Sequence, residues 1–161
     1  MSNCIASFDD GMRITTFDPA LRGEFRRLNV AWLERYFRVE PIDEQVLGNP
    51  ETEIIAPGGE VLFACLNESV VGTVALKLQE PAVFELTKMA VDEPWQGRGF
   101  GRRLLESATR VAKQRGASKL ILYSQRSLGA AIHLYRSCGF DEMPLCDQRY
   151  ARCDIKMQRA L

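Results

Sequence analysis

Three glycines fall within five positions in the stretch Trp95-Gln96-Gly97-Arg98-Gly99-Phe100-Gly101, with Arg98 between two of them. The stretch follows an apolar run that ends at Val91 and opens an amphipathic one. It reads as a strand-to-helix turn, and such a turn has the parts of an anion site. The first N–H groups of a helix lack intrahelical partners and sit at the positive end of its dipole. Glycine tolerates positive φ and leaves the backbone bare, so phosphate oxygens can reach those donors. Arg98, Arg102 and Arg103 add charge-assisted donors nearby and form a local basic patch. Spacing excludes two phosphate loops. The Walker loop needs Lys followed by Ser or Thr, and none follows here. The dinucleotide fingerprint needs glycine where Arg102 stands. A different diphosphate carrier fits the pattern, and a plain capped turn is the simpler alternative.

A second chemical signal is Glu85, in Phe84-Glu85-Leu86-Thr87-Lys88-Met89-Ala90-Val91. Glutamate is depleted in strands. It reads as a base whose pKa burial raises toward neutrality, or as a glutamate on a solvated face or beside Lys88.

The elements that must position these groups follow from periodicity. Residues 1–11 read as a loose leader and Arg13 to Phe17 as a short strand. Asp18-Pro19 starts a helix, with Asp18 as N-cap and Pro19 at the first helical position. Leu21, Phe25, Leu28 and Trp32 continue it at helical spacing. Asp43 to Leu47 predicts a second short helix, and Asn49-Pro50 and Pro57-Gly58-Gly59 mark loops. Strands are expected at Val61 to Leu66, Val70 to Leu78 and Val83 to Val91, the first two joined by Asn67-Glu68-Ser69. Gly99 to Arg115 is an amphipathic helix stopped by Gly116. A strand at Lys119 to Tyr123, a helix at Ala130 to Ser137, and strands at Phe140 to Met143 and Tyr150 to Met157 complete the chain. Hairpins followed by β-α-β predict a mixed sheet with helices on both faces. The whole of 1–161 reads as a single domain.

Gln96-Gly97-Arg98-Gly99-Phe100-Gly101 resembles the [QR]xxGx[GA] loop of the GNAT acyltransferases. Ala131-Ile132-His133-Leu134-Tyr135-Arg136-Ser137-Cys138-Gly139-Phe140 resembles that family's AIxLYxxxGF segment, and the two are separated by a helix and a strand, as in the family. The resemblance spans Arg13 to Met157 and implies an α/β (α+β mixed) fold. Its central sheet would be mixed, mostly antiparallel, and of six to seven strands. The implied cosubstrate is acetyl-CoA, with no metal. Gln96, Gly97, Arg98, Gly99, Phe100, Gly101 and Arg102 would hold the pyrophosphate. The backbone of Met89, Ala90 and Val91 would pair with the pantetheine arm by strand addition, and Met89 N–H would polarise the thioester carbonyl. Ala131 would lie against the coenzyme. Glu85 would serve as base, directly or through water, and Tyr135 as the acid near the sulfur. Gln125 stands where relatives often carry Asn, which adds a methylene to the amide's reach.

The implied reaction is direct attack of a primary amine, of a small molecule or peptide, on the acyl thioester. The acceptor side is ambiguous. Arg35, Arg38, Glu40, Asp43 and Glu44 could contact an acceptor or form a solvated face. Trp32, Tyr36 and Phe37 could line a pocket or pack in a core.

Composition bounds these readings. Lysine plus arginine equals aspartate plus glutamate at 21 each, which argues against a generic nucleic-acid or membrane-surface binder. No apolar run approaches the roughly 20 residues of a membrane span, and the first ten residues lack a signal peptide's basic region. The five cysteines, Cys4, Cys65, Cys138, Cys146 and Cys153, show no CxxC spacing. They predict free thiols and a reducing cytoplasm rather than disulfides or zinc. His133 is the only histidine, too few for a metal centre or His-based triad. A monomer or homodimer is expected. Two other functions fit part of the pattern: a non-catalytic acyl-CoA binding or sensing module, and a structural domain with an incidental glycine turn.

Overall fold

Long apolar runs without polar alternation belong to strands covered on both faces. The segments Glu60–Leu66 (β3) and Ser69–Glu80 (β4) are of this kind. In the computed structural model, which describes residues 3–146 and 151–161, they form the middle of an eight-stranded sheet. The other strands are Cys4–Ser7 (β1), Met12–Thr15 (β2), Val83–Val91 (β5), Lys119–Ser124 (β6), Asp141–Met143 (β7) and Ile155–Ala160 (β8). Their order is β1-β2-β3-β4-β5-β6-β8-β7, and only β5 and β6 run parallel. The fold is mixed α/β with a mostly antiparallel sheet, as expected.

Alternate residues of β3 serve two cores. Leu62 and Ala64 pack with Leu104, Leu105 and Ala108 of helix α3 (Phe100–Gln114) and with Ile132 of α4 (Gly129–Ser137). Val61 and Phe63 face Phe25 and Leu33 of α1 (Arg22–Tyr36) and Val46 and Leu47 of α2 (Pro41–Gly48). Each such buried side chain contributes roughly 1.5–3 kcal/mol of transfer energy. Asp18 caps as predicted, its Oδ1 accepting from Ala20 N at 2.9 Å. The cap opens a 3-10 turn, Pro19–Leu21, before α1 proper.

Three expectations need correction. The supposed leader contains β1, which pairs antiparallel with β2 and raises the strand count to eight. Its mixed polarity gives no period because it is an edge strand. The last strand is Ile155–Ala160 rather than Tyr150 to Met157. Its pairing with β6 carries it to Ala160, opposite Lys119, while Tyr150 lies outside the described residues. The loop between Asn49 and Gly59 holds a π-helical turn, Glu51–Ile55, that buries Ile54.

One irregularity matters for the site. β5 and β6 pair only from Val83 to Glu85 and from Lys119 to Ile121. Beyond that point β6 continues against β8, and β5 continues against β4. Between the pairs Thr73↔Ala90 and Ala75↔Thr87, two residues of β5, Lys88 and Met89, oppose Val74 alone. This is a bulge, and Lys88 occupies the left-handed region with φ 53°. The two parallel strands part, and a cleft opens between them.

Candidate active site

The cleft is a continuous cavity of about 690 Å³, well within the range of small-ligand sites. Its walls come from α1, the end of β5, the turn into α3, the end of β6, the start of α4 and the segment before β8.

The glycine turn forms one end. Gly97 and Gly99 have φ 75° and 82°, so their backbone conformation favours glycine. A Cβ at either would point into open space, the direction from which a ligand can approach. Gly99 is the N-cap of α3 and has no side chain to bond the first N–H groups. Backbone bonding begins with Arg103 N to Gly99 O at 3.1 Å. Gln96 Nε2 donates to Val91 O at 3.0 Å and pins the turn to the end of β5. This arrangement is chemically suited to a diphosphate: bare donors, a positive dipole end and, among the described residues, no competing carboxylate in the lining.

The predicted basic patch is divided. Arg102 lines the cavity, with Nη2 donating to Ser137 Oγ at 2.8 Å, and so ties α3 to α4. Arg98 does not line it; its guanidinium sits 4.9 Å over the Trp95 ring. Arg103 faces away, paired with Asp10 at 2.7 Å and lying over Phe8. Helical periodicity turns it to the β1–β2 side of α3, so it does not belong to the patch.

Met89, Ala90, Val91, Gln96, Gly97, Gly99, Phe100, Gly101, Gln125, Ala131 and Tyr135 all line the cavity. The Gln125 side chain accepts a hydrogen bond from Ser127 within its own loop. Tyr135 is 9% exposed and meets Phe140 edge to face at 6.1 Å. Burial pushes its phenol up to about 12.

Glu85 is 1% exposed and does not line the cavity. Its Oε1 accepts from Gln79 Nε2 at 3.3 Å. Strand alternation places it opposite in sense to Phe84 and Leu86, which pack on the α3 side.

The far end of the cavity holds groups that sequence reasoning missed or left open. Trp32, Tyr36 and Phe37 line it. So do Lys88, Tyr123, Arg152, Cys153 and Asn29. Asp43, with no exposed surface, ties two of them together. Its Oδ1 accepts from Lys88 Nζ at 2.7 Å and from Arg152 Nη2 at 2.8 Å. Glu40 Oε2 takes Arg152 Nη1 at 2.6 Å. Burial pulls the Asp43 carboxyl up, but Arg152 and Lys88 outweigh it and hold it at about 2. Burial pushes the Lys88 ammonium down, and Asp43 offsets this only in part. The pair thus gains on one partner and loses on the other, as buried ion pairs do. Burial also pushes the Cys153 thiol up to about 11, which makes it a poor nucleophile. Of the other charged candidates, Arg35 pairs with Glu93 and Glu44 with Arg26. Arg38 lines a smaller neighbouring cavity. The available signal for the cluster was Lys88, a charge inside an apolar strand; Arg152 carried none.

Residues 22–140 match the acetyltransferase (GNAT) family model. An uncharacterized N-acetyltransferase of Bacillus subtilis (strain 168), YvbK, is 30% identical over 104 residues, 63% of this chain and 67% of that one. Other curated relatives match over only 24% or 50% of their own length. Among solved structures, a GNAT-family acetyltransferase from Staphylococcus aureus Mu50 has a TM-score of 0.83 at 20% identity, covering 92% of this chain and 98% of that one. The PaiA N-acetyltransferase from Thermoplasma acidophilum, in complex with coenzyme A, has a TM-score of 0.70 at 17% identity, covering 93% and 99%. At these identities the structural likeness concerns the fold. The chain belongs to the acetyltransferase (GNAT) family, a family of acyltransferase enzymes.

Proposed function

We propose that this protein transfers the acetyl group of acetyl-CoA to a primary amine of a small molecule or peptide by direct attack. The observation that carries the reading is the continuity of one cavity. It joins the bare glycine turn, the bulged end of β5 and Tyr135 in a single space. Acetyl-CoA would supply an activated acyl thioester and a thiol leaving group.

The protein's own groups have separable tasks. The N–H groups at Gly97 to Arg102 bind the diphosphate, with Arg102 beside them. Beyond the bulge, the backbone of Met89, Ala90 and Val91 offers an edge to the pantetheine amides. Met89 N–H faces the developing oxyanion. Tyr135 donates a hydrogen bond to the departing sulfur; raised to about 12, it stays protonated across neutral pH. Glu85 lies behind the wall, so it takes the amine's proton through a bridging water rather than by contact. The apolar lining by Leu86, Phe100, Leu128 and Leu134 excludes bulk water from the thioester.

Isothermal calorimetry with acetyl-CoA tests the reading, with a dissociation constant in the micromolar range expected. A thiol-release assay over a panel of amines and peptides follows. Absence of binding at millimolar acetyl-CoA removes the proposal. Binding without turnover on any amine would favour the sensing module instead.

A further inference from the structure

Three non-glycine residues among those described have positive φ: Asn67, Ala82 and Lys88. Asn67 and Ala82 sit in the turns that join β3 to β4 and β4 to β5, where such values are ordinary. Lys88, at φ 53°, lies inside β5, at the bulge opposite Val74. Glycine or asparagine would adopt this conformation more readily. The chain carries instead a long side chain that is 4% exposed, and its Nζ donates to Asp43 Oδ1 at 2.7 Å. A strained backbone and a buried charge thus fall on one residue, immediately before Met89.

The other end of that tether is fixed from several sides. Asp43 stands in the first turn of α2, where its Oδ2 accepts from Glu40 N at 2.9 Å in a capping box. Arg152 grips the same carboxylate with both Nη atoms, at 2.8 and 2.9 Å, and Glu40 Oε2 takes Arg152 Nη1 at 2.6 Å. Val46 and Leu47, further along α2, are packed into the core against β3. The two cations are answered by the two carboxylates, so the cluster holds a shape. What it holds is the end of β5. The peptide plane that carries Met89 N–H is rigid, and its direction follows from the φ and ψ of Lys88. Met89 lines the cavity. A glycine at position 88 would permit that direction, whereas a tethered lysine enforces it.

We propose that Asp43 is a positioning residue for the acyl transfer: through Lys88 it fixes the peptide between Lys88 and Met89 and aims Met89 N–H at the thioester carbonyl. Asp43 has no exposed surface and does not line the cavity, so it acts from behind the wall. Strained backbone persists where its surroundings over-determine it. Here α2, β5 and the segment before β8 do so together. The inference rests on the acetyltransferase reading and adds to it what sets the direction of the oxyanion donor.

The test uses the full chain saturated with acetyl-CoA carrying carbon-13 at the thioester carbonyl. Isotope-edited infrared spectra read the polarisation of that carbonyl, since a hydrogen bond lowers its stretching frequency. The wild-type complex should show a stretch below that of free acetyl-CoA. Asp43→Asn and Lys88→Gly should each lose half or more of that shift. Their kcat should fall about tenfold or more, while the dissociation constant of coenzyme A, which has no acetyl group, stays within about threefold. Lys88→Gly separates positioning from relief of strain, because glycine accepts φ 53° without the tether. Should Asp43→Asn fail to fold, Lys88→Gly and Lys88→Met, which leave Asp43 with Arg152, carry the same three readouts. A wild-type shift and rate retained in Lys88→Gly overturn the proposal and leave the acetyltransferase reading intact. So does a loss of coenzyme A affinity that parallels the loss of rate, which would make the cluster general scaffolding. A wild-type carbonyl that absorbs as it does in free acetyl-CoA overturns it too, together with the role of Met89 N–H. A wild-type protein that does not bind acetyl-CoA overturns the underlying reading and this inference with it.

Discussion

The role proposed for Tyr135 depends on burial. Its phenol is pushed up to about 12, well above the ~8.5 of an ordinary thiol. Complete proton transfer to a thiolate is therefore uphill, and in the proposed reaction the hydroxyl would act mainly as a hydrogen-bond donor to developing negative charge. Tyr135→Phe should lower kcat about 10- to 100-fold while leaving the acetyl-CoA dissociation constant nearly unchanged. Full activity in the variant, with the chemical step limiting, would exclude the role. Glu85→Gln should likewise slow turnover, by about tenfold or more, without affecting coenzyme binding; an unchanged rate across pH 6 to 9 would remove Glu85 from the reaction. The glycines separate two effects. Gly99 has φ 82°, so Gly99→Ala should cost about 1–2 kcal/mol of stability as well as coenzyme affinity. A Cβ at Gly101 meets only Leu134 Cδ2, at 3.6 Å, an ordinary contact. Gly101→Ala should leave thermal stability within about 0.5 kcal/mol and weaken acetyl-CoA binding alone. Melting curves and calorimetry on both variants check the contrast.

At the level of elements, the bulge in β5 is held from outside the strand. Lys88 is a non-glycine residue at φ 53°, a conformation that needs support from its surroundings. Asp43 of α2 provides it through the 2.7 Å bond to Nζ, and Arg152 joins from the segment before β8. Helix, strand and the far end of the chain thus meet on one carboxylate. Asp43→Asn leaves two buried cations short of a charge and should destabilise by about 3 kcal/mol. Lys88→Met should cost less, because Asp43 keeps Arg152. Urea midpoints with an unchanged m-value check the order. Equal effects would mean that the aspartate is not the organising member.

For the whole molecule, the same carboxylate sets a pH dependence. Asp43 is held at about 2 in the folded state, below its usual value of 3.8. Its contribution is therefore complete above roughly pH 4 and is lost as pH falls toward 2. Unfolding free energy should fall through that window, and the fall should be shallower in Asp43→Asn. A parallel decline in both proteins would assign the acid sensitivity to other groups.

Much of the architecture was readable because its signals are local. Apolar runs such as Val83 to Val91 and the helical stripe Leu104, Leu105, Ala108, Val111, Ala112 declare their elements within a dozen residues. The glycine turn declares itself too, since φ values of 75° and 82° favour glycine over side-chain-bearing residues. Tertiary structure decided the rest. An edge strand such as β1 takes its shape from the β2 ladder, so no period in residues 4–7 reveals it. Arg103 leaves the basic patch because α3 packs one face on the sheet and turns that residue toward Asp10. Asp43 and Arg152 stand 109 positions apart in the chain and meet at 2.8 Å. Their meeting depends on strand order and on β5 parting from β6. Periodicity is a short-range property of a chain, whereas the convergence of charges across a sheet is fixed only when distant elements share one core.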